Sequence, residues 1–138
     1  MDIKDFTDEQ LTYIIGKGYY DIKREYHSRQ CKALINSLNV KVGDCLLERI
    51  ELDRGDFKVY KVKSVKDSGV LVCDEIEALK EQVCSDDDVE YDVFINDFSK
   101  MERIPSEKYE KMVEVIDVYN KTVNDLHDKL YGDLLSIL

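Results

Sequence analysis

From Leu11 onward, apolar residues return roughly every 3.6 positions: Leu11, Ile15, Tyr19, Ile22 and Tyr26, continuing to Leu34 and Leu38. That is the period of an amphipathic helix. Thr7 can cap its start, Gln10 can return the hydrogen bond, and Asp8 and Glu9 suit the positive helix end. The pattern predicts a helix over 8–38, with Gly16 and Gly18 marking a kink or a close helix contact.

After Asn39 the chemistry changes to that of strands. Val40 to Asp44 reads as a short strand entering a turn, and Cys45 to Leu52 as a second strand closed by Asp53-Arg54-Gly55-Asp56. Phe57–Val65 is β-branched and aromatic, and Lys66-Asp67-Ser68-Gly69 turns it into a strand from Val70 to about Glu75. Residues 77–87 are polar and read as a short helical turn. Val89, Tyr91, Val93 and Ile95 then alternate with Asp88, Glu90, Asp92 and Phe94, one face apolar and the other acidic. A last short strand is expected at Met101–Ile104.

Ser106, following Pro105, is expected to cap a C-terminal helix. Tyr109, Met112, Ile116, Tyr119, Val123, Leu126 and Leu130 recur at alternating spacings of three and four, a heptad seam that Asp133 breaks and Ile137 resumes. Val113, Val115, Val118 and Leu134 widen it. The favoured reading packs this seam on the N-terminal helix and sheet; the alternative is a homo-oligomer. Together these elements predict an α+β fold in a single domain, 1–138. A small curved antiparallel sheet over about 40–104 is flanked by long N- and C-terminal helices, 1–39 and 105–138.

The strand and turn residues Val42-Gly43-Asp44, Tyr60-Lys61-Val62-Lys63-Ser64-Val65 and Asp67-Ser68-Gly69-Val70-Leu71-Val72 resemble a small SH3-like barrel. The lysine-, isoleucine- and tyrosine-rich style of the chain resembles small accessory proteins of bacteriophages from AT-rich hosts. SH3-like barrels host many functions, so the resemblance implies a fold and not an activity.

Charge sharpens the picture. The net charge of −10 is concentrated in residues 67–98, where Lys80 faces eleven acids. Such a segment repels a phosphate backbone, which argues against direct nucleic-acid binding. It suits a basic protein surface, and Asp86, Asp87, Asp88, Glu90 and Asp92 are the partner-binding candidates. The plain alternative is a solvated stretch that keeps the chain soluble.

Chemistry is sparse. No Gly-rich phosphate loop, GxSxG or HExxH occurs. Asp86-Asp87-Asp88-Val89-Glu90 opens like a calcium loop, but Tyr91 and Asp97 stand where glycine and glutamate are needed. The four cysteines, Cys31, Cys45, Cys73 and Cys84, form no CxxC pair, and neither His27 nor His127 reads as lying at a metal-ligand spacing from them, so zinc is not expected and reduced thiols are. Cys31 follows His27 by four residues, a helical turn, yet the neighbouring sequence supplies neither an orienting group nor an oxyanion hole for a nucleophile. No catalytic residue, metal or cofactor is therefore expected. The first residues are acidic and lack an apolar run, and no apolar stretch approaches membrane length, so a cytoplasmic protein (host cytoplasm if phage-encoded) is expected. The functional expectation is a non-enzymatic protein-binding module with an acidic face, in its most concrete form a phage-encoded inhibitor that blocks the nucleic-acid-binding surface of a host protein. The alternatives are a structural or virion assembly protein that oligomerises through the C-terminal helix, and an enzyme or small-ligand binder with an unrecognised site.

Overall fold

The computed structural model describes residues 2–15, 19–51, 54–93 and 100–138. Two compact units divide the chain, Met1–Ile104 and Pro105–Leu138. The first contains a 3-10 turn at Ile3–Asp5, helices α1 (Asp8–Ile15) and α2 (Tyr20–Ser37), and strands β1 (Cys45–Glu51), β2 (Asp56–Val65), β3 (Leu71–Ala78), β4 (Val83–Tyr91) and β5 (Glu102–Ile104). The second is helix α3, Ser106–Ile137. The fold is α+β.

The expected capping box forms. The Thr7 amide donates to Gln10 Oε1 at 2.9 Å, and the Gln10 amide donates to Thr7 Oγ1 at 3.1 Å. Two helices replace the single one expected over 8–38. Gly16 and Gly18 lie outside the described residues, as do Asp53, Phe94, Ile95 and Asp97. Arg29 joins the pieces: its guanidinium donates to Asp8 Oδ1 at 2.9 Å, to the Lys4 carbonyl at 3.1 Å and to Glu25 Oε1 at 3.2 Å.

All strand pairs are antiparallel, in the order β4-β3-β2-β1-β5. β4 and β5 are the two edges, so the sheet is not closed. Two expectations need correction. Residues 40–44 form a turn and not a strand: the Asp44 carboxylate accepts from the Lys41 amide at 2.9 Å, and Gly43 takes φ +93°, open to a residue without Cβ. Residues 77–87 form no helical turn. Leu79 and Gln82 exchange backbone hydrogen bonds of 2.8 and 3.2 Å, closing a hairpin that carries β3 directly into β4. The buried Asp56 carboxylate holds this hairpin by accepting from the Lys80 amide at 3.0 Å.

Pairing places Leu46 opposite Tyr60, Val62 opposite Cys73, and Leu71 opposite Tyr91, all on one sheet face. That face forms the core with Cys31 and Ile35 of α2 and with Val40 and Val93. Each such burial contributes about 1.5–3 kcal/mol, and the Tyr60 and Tyr91 rings add a tilted contact at 5.0 Å between centroids. The β2–β3 turn docks on α2 through Gly69, at φ +83°, where a Cβ would come within 2.7 Å of the Cys31 Cβ. Only glycine fits there. α3 begins at Ser106 itself, so this hydroxyl sits one residue too far along to cap, and the capping position falls to Pro105 with no side-chain bond.

Candidate functional site

The acidic candidates lie at one sheet edge. Asp86, Asp87, Asp88 and Glu90 are exposed on β4, and Asp92 is half-buried just beyond it. β2, third from this edge, carries the lysines that answer them. Lys63 Nζ lies 2.7 Å from Asp88 and 3.3 Å from Asp74, and Lys66 pairs with Glu90. Lys58 lies 3.0 Å from Glu77 and 3.8 Å from Glu75. Asp88 adopts φ +57°, a left-handed conformation that aspartate tolerates, and its amide donates to Asp74 Oδ1 at 3.3 Å. The β3–β4 register shifts here, between Cys73 and Glu75. A bulge therefore turns Asp88 towards Lys63. The positive stretch at 58–66 neutralises much of the acidic segment from inside the sheet.

Glu75 is the buried member of this network. Burial raises its carboxyl above the ordinary range and Lys58 pulls it back, while Glu77 and Asp86 add to the rise. Cys73, on the same strand, has its thiol pushed up to about 12, chiefly by burial, and stays inert.

Asp92 belongs to a different constellation. Its Oδ2 lies 2.6 Å from His27 Nε2, and its Oδ1 accepts from the Cys31 thiol at 3.5 Å. Cys31 Sγ also lies 3.5 Å from His27 Nε2. Cys31 is fully buried, whereas the His27 and Asp92 side chains are 35% and 22% exposed. The arrangement differs from a nucleophile–base–orienter relay, in which the imidazole offers one nitrogen to the thiol and the other to the carboxylate. Here the same nitrogen faces both.

The third feature is the α3 seam. Met112 and Ile116 are half-buried, but Tyr119, Val123, Leu126 and Leu130 are 67, 44, 62 and 56% exposed. Val115, Val118, Leu134 and Ile137 are exposed as well. No helix among the described residues is long and apolar enough to cross a membrane.

No protein-family model, curated protein or solved structure matches the chain. The site must be read from its own geometry.

Sequence reasoning placed Asp92 among the acids of a strand face, weighed His27 and Cys31 as a nucleophilic pair, and set zinc aside on the ground that neither histidine stands at a metal-ligand spacing from a cysteine. The signal that points to the cluster is the i, i+4 placement of an imidazole and a thiol on the core-facing side of one helix. The carboxylate that completes it comes from 61 residues beyond Cys31.

Proposed function

We propose that this protein is a non-enzymatic association module that pairs with a second copy of itself through α3. The observation that carries this reading is the exposed seam from Tyr119 to Leu130. Ile116, Val123 and Leu130 occupy one core position of the heptad, and Met112, Tyr119 and Leu126 the other. Ile116 and Val123 in the first and Leu126 in the second are the residues that suit parallel two-stranded coils. The flanking positions hold Lys108, Val113, Val115, Asn120, Thr122, His127, Lys129 and Leu134, with no acid. Glu107, Glu110, Glu114, Asp117, Asp125 and Asp128 lie on the outer face, so two copies meet without acid-to-acid repulsion until Asp133 in the last heptad. A helix of 32 residues spans roughly 48 Å, long enough to bury on the order of 800 Å² per partner, the size of a standard interface.

The sheet unit acts as a charged scaffold with an SH3-like path. Its strand order and the register shift in β2 between Val62 and Ser64, which bends that strand, support this reading. The acidic-face inhibitor takes second place, because Lys63 and Lys66 already meet Asp88 and Glu90. What favours it is the exposed pair Asp86 and Asp87, which forms no ion pair among the described residues.

Sedimentation equilibrium tests the proposal. The parent protein should dimerise at micromolar concentration and stay dimeric in high salt, whereas Val123→Asp with Leu126→Asp should sediment as a folded monomer. A parent protein that stays monomeric at the highest soluble concentration overturns it. Asp86→Lys with Asp87→Lys should leave the self-association unchanged.

A further inference from the structure

We infer that His27, Cys31 and Asp92 form a binding site for a borderline-soft divalent cation, zinc above all, which clasps α2 to the end of β4. The i, i+4 spacing stacks His27 and Cys31 on one face of α2, and the chain leaving β4 brings Asp92 against both. The three donor atoms lie within 4.8 Å of one another. Zinc bonds of about 2.0–2.3 Å at tetrahedral angles set donor-to-donor edges at roughly 3.3–3.6 Å. Two edges already have that length, Sγ to Nε2 and Sγ to Oδ1, both 3.5 Å. The third, Nε2 to Oδ2 at 2.6 Å, is a hydrogen-bond length. The cation displaces the proton held there and opens this edge by about 0.8 Å, a shift within reach of a half-exposed imidazole and carboxylate.

The donor set selects the metal. A thiolate and an imidazole disfavour calcium and magnesium, which take oxygen ligands. One thiolate and one carboxylate balance a dication, so the bound cluster is neutral beside a core that would penalise a lone thiolate. On binding, the Cys31 thiol proton leaves to solvent. The proton displaced from between Nε2 and Oδ2 moves to Nδ1 of a neutral imidazole, which leaves the Nε2 lone pair for the cation, so one proton, that of the thiol, is released per cation and binding strengthens as pH rises. Three protein ligands leave the fourth corner to water. A groove of about 450 Å³, lined by Ile15, Lys23, Tyr26 and Gln30, runs beside His27 and provides the way in.

The test uses the reduced, chelator-treated full chain carrying Cys84→Ser, which removes the half-exposed thiol as a competing ligand. Cobalt(II) is the spectroscopic probe. One equivalent should produce thiolate-to-cobalt charge-transfer absorption that zinc abolishes by displacement, and zinc should raise Tm. His27→Gln and Asp92→Asn, near-isosteric and on the solvent side, should stay folded and weaken cobalt binding by more than the roughly 10- to 100-fold that losing a supporting outer group costs. Cys31→Ser should lose the charge-transfer band; should that buried change prevent folding, the other two variants decide. A folded parent without the band, or a band that survives both His27→Gln and Asp92→Asn, overturns the site and leaves a hydrogen-bonded cluster.

Discussion

The sheet unit and α3 use apolar periodicity for opposite ends. In the sheet unit, the strand pattern of β2 and β3 ends in buried side chains, with Val59, Val62, Leu71 and Cys73 at 1% exposure or less. In α3, an equally regular period leaves Leu126 62% and Leu130 56% exposed. A sheet face is covered by the helix its own chain supplies, here α2. A helical seam carries no such guarantee, because a second helix can come from elsewhere. Regular spacing thus marks an apolar face, but not what covers it.

One substitution made in both units breaks this comparison most sharply. Leu71→Ala removes a fully buried side chain and should cost about 2–5 kcal/mol in a denaturant titration. Leu126→Ala should cost the dilute monomer no more than about 0.5 kcal/mol while weakening association at high concentration. Equal losses at a concentration where the protein is monomeric would mean that α3 is covered within its own chain.

Electrostatics sharpens the contrast with a smaller effect. Like charges crowded on β4 cost stability unless basic groups meet them or solvent screens them, and Lys63 and Lys66 are basic groups within the same chain. Lys63→Gln with Lys66→Gln should lower Tm slightly at low salt, and the difference should shrink as salt is added, because exposed pairs are screened. Reversing Asp88 and Glu90 to lysine would set like charges against both residues and should lower Tm too. No salt-dependent difference would return the acidic strand to a solubility role.

What the sequence made legible was local. The Thr7–Gln10 box and the turn at 66–69 formed as read, the latter with the Lys66 amide donating to the Val70 carbonyl at 2.9 Å. Both depend on residues within four positions of each other. The burial of Tyr91 and Val93 was legible from alternation. The start of β4 at Val83 was not, because Ser85, Asp86, Asp87 and Asp88 are all exposed. An edge strand exposed on both faces shows no alternation, and backbone pairing to β3 alone defines it. The site was illegible for a different reason. His27 and Asp92 stand 65 residues apart, and only the pairing of β3 with β4 and the packing of α2 decide that they meet.

The smallest effect concerns Glu75, a carboxylate buried on β3. Glu75 is held above its ordinary value first by burial, then by Glu77 and Asp86, with Lys58 opposing. The folded protein therefore keeps the Glu75 proton to a higher pH than the unfolded chain does. Its contribution is fully present below the unfolded carboxyl value of about 4.3 and is lost as pH rises through the raised folded value. Glu75→Gln removes this titration. Relative to the parent, the variant should gain stability as pH rises from about 4 towards neutrality. Thermal melts of both proteins at half-unit steps measure the difference. Parallel curves would show that Lys58 fully compensates the burial, and that the sheet unit satisfies even its buried charge from within.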